Sequence, residues 1–174
     1  MRKILNVGCG NQTYGTHFVD KYPKRKGVIK CDIERGKLPF KSNQFDEVYS
    51  RCLFEHLKNP FHVLKEMHRI LKPKGRLILI TDNAGFWGFH MPMSKTHYGG
   101  YEKHGSYGKE DKHFMLFTAW HLENYFKELK IKITRINYEY DDNPSIIVRA
   151  ISELLNMIGF SKVAFPRIKI EGVK

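Results

Sequence analysis

The sequence predicts an α/β domain built on a mostly parallel sheet. Three observations carry that prediction. Short apolar runs recur along the chain, several ending in an acid; a strongly periodic helix lies between two of them; and a glycine-rich turn, Gly8-Cys9-Gly10, follows the first run at once. Strand–helix–strand alternation points to parallel strands joined by crossover helices.

In chain order, residues 4–8 (ILNVG) form a buried-type strand. Residues 17–20 and 27–32 are two further short strands, each ending in an acid, 45–50 is a fourth and 76–81 (RLILIT) a fifth. Between the last two lies a helix: Asn59 caps it, Pro60 suits its first turn, and Phe61, Leu64, Met67 and Leu71 form one apolar stripe. Lys72-Pro73-Lys74-Gly75 stops it. Residues 86–117, rich in Gly, His, Tyr and Phe and without a sustained period, read as a long irregular segment over a site, a substrate-side lid or insert. Thr118 starts a helix with Ala119, Leu122, Phe126 and Leu129 on one face. Residues 131–140 alternate like a strand, with a phase slip near Arg135 that marks a bulge.

Asn143-Pro144 opens a last helix carrying Ile147, Ile151, Leu154 and Ile158 and closed by Gly159. Its stripe is expected to complete the core beside the sheet, in preference to a dimer contact. Its polar face holds Arg149 and Glu153 rather than the basic run of a membrane-surface helix. The final strand lies around 163–170, where Pro166 argues for an irregular or edge position. No repeat or linker interrupts the pattern, so residues 1–174 read as a single domain.

Bulk composition narrows the function classes. With 41% hydrophobic and 13% aromatic residues the chain is globular rather than disordered. Its 30 Lys+Arg against 18 Asp+Glu favour an anionic partner such as RNA, a phosphorylated metabolite or a membrane surface. The cations are dispersed, however. Lys21, Lys24, Arg25, Lys26 and Lys30 form one cluster, and Lys65, Arg69, Lys72 and Arg76 another at roughly helical spacing, a pattern typical of a solvated face. Cys9, Cys31 and Cys52 have neither disulfide nor zinc spacing, so a reducing, cytoplasmic setting is the simplest expectation. No run approaches the ~18–20 apolar residues of a membrane span, and the N-terminus shows no apolar signal stretch.

The glycine turn admits several ligands. A dinucleotide fingerprint needs a third glycine where Thr13 stands. Gly10 and Gly15 have P-loop spacing, but Thr16-His17 replace the Lys-Ser/Thr that would meet the phosphates. A structural turn with no ligand also remains open. The reading that fits most residues is a resemblance. Asn6-Val7-Gly8-Cys9-Gly10-Asn11 resembles the first motif of class I S-adenosylmethionine-dependent methyltransferases. Phe18-Val19-Asp20, Cys31-Asp32-Ile33-Glu34 and Leu38-Pro39-Phe40 follow as landmarks of the methyltransferase type 11 group. Gln44-Phe45-Asp46-Glu47-Val48-Tyr49, Glu55-His56-Leu57 and the stretch from Glu66 to Gly75 continue them in the same order. The resemblance covers residues 3–82 well and the helix at 118–129 loosely.

The resemblance implies a Rossmann-like, doubly wound sheet of about seven strands and S-adenosyl-L-methionine as cofactor. It implies that Gly8, Cys9 and Gly10 bring backbone to the methionine part, with Ser50 and Arg51 facing the same end through their backbone. Asp20 would take the ribose diol, with Lys21 beside it, Asp32 would accept from the adenine amino group, and Ile33 would cover the ring face. Asn6 stands where the group commonly has an acid, and Lys74-Gly75 replaces its usual glycine pair. Only ten residues separate Gly10 from Asp20, too few for an ordinary crossover helix, so a compact connection is expected. No helical pattern precedes the first strand, which leaves that side of the pocket open or closed by a homodimer mate or partner subunit.

The implied activity is methyl transfer to an oxygen, nitrogen or carbon acceptor, with a small molecule expected. The alternatives are an RNA or protein methyltransferase docking through its charge, and a methyltransferase-like binding subunit without turnover. Ser50-Arg51-Cys52-Leu53 stands where base amino methyltransferases carry Asn/Asp-Pro-Pro-Tyr, and no Pro-Cys nucleophile occurs, which lowers the nucleic-acid reading. No catalytic residue is assigned. His56 either faces the acceptor as a base or closes a helix turn, and Asp46 is a strand-start contact. His90, His97 and His104 recur every seven residues, with His113 beyond, a spacing unlike metal ligands, so no metal is expected. Phe86, Trp87, Phe89, Tyr98, Tyr101 and Tyr107 either stack on a flat acceptor or pack under the loop.

Overall fold

The computed structural model describes residues 1–90, 112–140 and 144–174. Seven strands form one sheet: β1 (Ile4–Val7), β2 (His17–Asp20), β3 (Val28–Lys30), β4 (Phe45–Arg51), β5 (Leu71–Asp82), β6 (Lys132–Glu139) and β7 (Arg167–Val173). Their order across the sheet is β3-β2-β1-β4-β5-β7-β6. The first five pair in parallel, and β7 runs antiparallel to both β5 and β6. The helices are α1 (Pro60–Ile70), α2 (Ala119–Glu128), α3 (Ile146–Met157) and the short α4 (Ser161–Ala164).

The core lies where strand and helix patterns meet. Leu5, Val7, Val19, Phe45, Val48, Leu77 and Leu79 are fully buried, and α1 lays Val63, Leu64, Met67 and Ile70 on the sheet. The α1 start is as read: Asn59 accepts from the His62 N–H through its side chain, and Pro60 takes the first helical position. Phe61 is only partly buried and meets Tyr125 with ring centroids 5.1 Å apart. Leu71 does not continue the α1 stripe; it opens β5 opposite Phe45, and the ladder resumes at Arg76 opposite Glu47. Residues 72–75 bulge out between these pairs, with Lys74 left-handed at φ 63°. Beside α1, helix α2 inserts Leu122 and Phe126 into the same core.

The link between β1 and β2 contains no helix, in keeping with its length. It closes because Thr16 is bonded back to Ile4: the Thr16 N–H donates to the Ile4 carbonyl at 2.9 Å, and the Ile4 N–H donates to Thr16 Oγ1 at 2.9 Å. The slip near Arg135 is a bulge, since the β6–β7 register shifts between Ile133 and Arg135.

Two expectations are corrected. Pro166 argues for an irregular or edge position: it stands irregular, at a bend just before the strand, but the strand itself is no edge and lies inside the sheet between β5 and β6. Pro166 precedes β7 by one residue, so its missing N–H removes no ladder bond, and its carbonyl accepts from the Asn83 N–H at 2.8 Å. The second concerns α3, whose cap is Ser145, accepting from the Val148 N–H; Asn143 lies outside the described residues. Its apolar stripe does not complete the core. Ile147 is 71% exposed, Leu154 59% and Ile158 59%, while the one buried residue of the helix is Ser152. Ser152 accepts from Trp87 Nε1 at 3.2 Å, so the helix sits with a polar contact inward and its aliphatic face outward. Among the described residues no helix is long and apolar enough to cross a membrane.

Candidate functional site

The sheet winds in one direction from β1 to β2 and β3 and in the other to β4 and β5, so its switch point is the crevice between β1 and β4. The glycine turn leaves β1 at that crevice. Gly8 has φ +67°, and a Cβ there would stand 2.7 Å from Leu53 Cδ1. The first glycine is therefore needed for backbone conformation and for the Leu53 side chain packed against it. The Gly8 and Cys9 N–H groups both donate to the Val19 carbonyl, at 2.9 and 3.2 Å. Gly10 is also left-handed, at φ 50°. Its N–H donates to Asp20 Oδ2 at 2.7 Å, while Asp20 Oδ1 accepts from the Tyr22 N–H at 2.8 Å. Asp20, only 7% exposed at the end of β2, thus fixes the turn while each oxygen retains lone-pair capacity.

Two residues the sequence did not single out for this turn, Gln12 and Arg25, complete it together with Asn6. Gln12 spans the crevice, accepting from Asn6 Nδ2 at 3.3 Å and donating to the Arg51 carbonyl at 3.3 Å. Arg25 donates to the Gln12 carbonyl at 2.6 Å and stacks on Phe18 with its guanidinium carbon 4.1 Å from the ring centroid. Asn6 also donates to the Tyr14 carbonyl at 3.0 Å, so it ties the loop down from beneath. Asn6 Oδ1 and Arg25 Nε are buried without a hydrogen-bond partner among the described residues. A buried acceptor and a buried donor beside a carboxylate and a glycine turn suit a polar ligand.

The other sequence-selected residues fall into two groups. Lys21 and Asp32 lie beyond the ends of β2 and β3 and form an ion pair at 3.6 Å; Asp32 also meets Arg35 at 3.5 Å. Arg51, at the end of β4, pairs with Glu139 at the end of β6 at 3.7 Å. By contrast Cys9, Ile33 and Ser50 turn inward. Cys9 is fully buried, with its thiol pushed up first by burial, and Ile33 belongs to the main core at 7% exposure. Ser50 Oγ donates to the Val7 carbonyl at 3.0 Å, bonding β4 to β1. These three can offer a ligand backbone or a side-chain edge only.

A second cluster caps the neighbouring strand ends. Glu55, fully buried, accepts from Thr81 Oγ1 at 2.8 Å, and burial first, then the Asp82 charge, pushes its carboxyl up to about 8. His113 Nδ1 lies 3.3 Å from Asp82 Oδ2. His56 stands edge-on to His113 with ring centroids 4.6 Å apart, and its Nδ1 is 3.1 Å from the Lys112 carbonyl. Cys52, left-handed at φ 55°, meets the Arg167 guanidinium, yet burial dominates and lifts its thiol to about 12. It is therefore no thiolate nucleophile at neutral pH. The sequence offered Glu55 and His56 as a family landmark but gave no signal that Asp82 and His113 converge on them.

Of the 86–117 segment, both ends are described. Phe86 packs on Trp87 and Phe89 with centroids 5.5 and 5.1 Å apart, which is packing among themselves. Phe117 bridges to Asn83, and the Phe114 N–H donates to the Glu55 carbonyl at 2.7 Å. The His90 ring lies 3.1 Å from the Ala84 carbonyl. His97, His104, Tyr98, Tyr101 and Tyr107 lie outside the described residues. Among the described residues no group of three or more His, Cys, Asp and Glu side chains is placed to hold a metal.

Residues 10–79 match the family model of a methyltransferase domain. An uncharacterized protein of Methanocaldococcus jannaschii is 30% identical over 115 residues, 52% of this chain and 50% of the relative. The tRNA U34 carboxymethyltransferase of Nautilia profundicola is 28% identical over 102 residues, 46% of this chain and 34% of the relative. The chain thus spans half or less of the length of these curated relatives. An S-adenosylmethionine-dependent methyltransferase structure from Thermotoga maritima superposes with a TM-score of 0.69 at 16% identity, covering 99% of this chain and 82% of that one. At that identity the likeness establishes the fold.

Proposed function

We propose that the chain is a class I S-adenosylmethionine-dependent methyltransferase, a reading supported by the methyltransferase-domain match over residues 10–79, and that it transfers a methyl group to a small-molecule acceptor at the β1–β4 crevice. Its cofactor is S-adenosyl-L-methionine, which supplies an electrophilic methyl on a sulfonium. The observation that carries the reading is the bond from the Gly10 N–H to Asp20 at 2.7 Å, which joins the glycine turn to an acid at the end of the next strand. Asp20 takes the ribose diol on its remaining lone pairs. The backbone of Gly8, Gly10 and Ser50-Arg51 borders the methionine end, and Arg25 Nε and Asn6 Oδ1 are the buried groups such a ligand would satisfy. Asp32, partly exposed, takes the adenine amino group, and Ile33 offers its edge to the ring.

Displacement at a sulfonium depends on proximity and alignment, with a base only where the acceptor carries a proton. That role falls to His113, oriented by Asp82 and walled by His56. Glu55, held toward its neutral form, adds little negative charge there. A small acceptor is favoured over nucleic acid because the second cationic cluster is largely neutralised within the fold. Lys72 pairs with Asp46 at 2.7 Å, Arg69 with Glu66 at 2.8 Å, and Arg76 with Glu171 and Glu47. Three free cysteines suit a reducing, cytoplasmic compartment.

Calorimetric titration with S-adenosylmethionine and S-adenosylhomocysteine tests the reading. The wild type is expected to bind in the micromolar range and Asp20→Ala at least about 100-fold more weakly, as loss of charge-assisted hydrogen bonds requires. Absence of binding by the folded wild type would sink the catalytic reading in favour of a binding subunit.

A further inference from the structure

Among the described residues, the outer face of α3 is an apolar surface that the proposed reaction leaves unused. Ile146, Ile147, Leu154, Met157 and Ile158 are each more than half exposed, and Phe160 beyond the helix joins them at 57%. At ~150–200 Å² for a large side chain, this face presents on the order of 700 Å² of apolar surface. Isolated monomers rarely carry a helix face of that kind without an occupant.

We propose that this face is a homodimer interface, on which a second copy of the chain packs its own α3 in antiparallel orientation. Three features select that occupant. The spacing of Ile147, Ile151, Leu154 and Ile158 is four, three, four, which reads the same in both directions. A two-fold axis beside the middle of the helix therefore sets Ile147 against Ile158 and Ile151 against Leu154, an isologous, self-complementary contact. The area matches the roughly 800 Å² per partner of a standard interface. Charge points the same way. The chain carries a net +12, yet residues 145–160 contain one cation, Arg149, and one anion, Glu153. Two strongly cationic copies repel least where each is electrically neutral, whereas an anionic bilayer would be met best by cations around the apolar face.

The test is light scattering of the full chain after size-exclusion chromatography, at 0.1 and 0.5 M NaCl, beside Leu154→Glu and Ile158→Lys. The expected wild-type mass is twice the 20.5 kDa of one chain, with dissociation weakened at the higher salt as repulsion is screened. Both variants are expected at the single-chain mass with melting temperature and S-adenosylmethionine affinity equal to those of an isolated wild-type monomer. Because both positions are 59% exposed, neither change disturbs the core. A wild type that stays at the single-chain mass up to ~100 μM, or variants that remain dimeric, would overturn the proposal. So would a monomeric wild type that sediments with phosphatidylglycerol vesicles at low salt, which would assign the face to a membrane. Cofactor binding is read separately, so the dimer can fail while the methyltransferase reading stands.

Discussion

Thr81 donates a hydrogen bond from Oγ1 to Oε2 of Glu55 at 2.8 Å, joining the end of β5 to the turn after β4 inside a fully enclosed site. The groups facing this pair are Asp82 and His113, with Cys52 close by. Burial, reinforced by the Asp82 charge, raises the Glu55 carboxyl to about 8, against 4.5 for an ordinary glutamate. Between those values the folded chain keeps a proton that the unfolded chain has released. The stabilisation from Glu55 is therefore fully present below about pH 4.5 and is lost as the pH rises through about 8. Glu55→Gln, whose amide oxygen still accepts from Thr81, should flatten that decline. We expect the variant to gain on the order of 1–3 kcal/mol over wild type between pH 5 and pH 8.5. Melting curves at the two pH values check this, and parallel curves for both proteins would refute it.

Gly8→Ala should destabilise the chain by about 2–4 kcal/mol, combining a left-handed backbone with a collision at Leu53. Adding Leu53→Ala removes the collision but not the dihedral strain. The double variant should thus lose less than the sum of the single losses, and denaturant unfolding of all four proteins measures the coupling. Strict additivity would mean that Leu53 is not what the glycine accommodates.

Glu47 is fully buried and meets both Arg2 at 2.8 Å and Arg76 at 3.5 Å. Arg76→Met alone should cost only about 1–2 kcal/mol, because Arg2 remains on Glu47 and Lys169 remains 3.0 Å from Glu171. Removing Arg2 as well leaves the buried carboxylate without either guanidinium, held by the Tyr14 hydroxyl, and the pair of changes should cost about 3–5 kcal/mol. The unfolding free energy of Arg2→Ala/Arg76→Met against the single variants decides the point.

Asn59→Ala should cost about 1 kcal/mol through the loss of the α1 cap, and Asn59→Asp should cost nothing measurable. Equal melting temperatures for Asn59→Ala and wild type would show that Pro60 and packing fix the helix start unaided.

The parts legible in the sequence were those set by local chemistry. The Asn59-Pro60 start, the slip near Arg135 and the helix-free link from Gly10 to Asp20 depend on a few neighbouring residues, and each is found as read. Pairing partners were not legible. Pro166 carried a valid rule, but whether a strand lies at an edge depends on what pairs with it, and nothing near Pro166 encodes β5 and β6. The α3 stripe failed for a related reason. Periodicity shows that a helix has an apolar face without showing which way it points, and here Ser152, bonded to Trp87, is the side that faces inward. In the glycine turn, the left-handed Gly8 and Gly10 and the acid Asp20 closing β2 were legible because backbone freedom and an acid at a strand end leave a signature. Cys9 and Ser50, expected to offer backbone, and Ile33, expected to cover a ring face, have side chains that pack in the core or bond β4 to β1, a placement no local pattern fixes. Arg25, Gln12, Asp82 and His113 reach their sites across distances that no local pattern records.

The place of β7 in the sheet governs the order in which the chain can assemble. Strands β1 to β5 can pair with one another as they leave the ribosome, but β6 is made before β7 and has no neighbour until residues 167–173 emerge. Until then β5 and β6 both present open backbone edges to each other's side of the sheet, and the last strand fills the gap by pairing with each. A chain interrupted before Arg167 is thus left with a smaller sheet whose β5 edge is open and with β6 unpaired, which makes incomplete synthesis a route to aggregation.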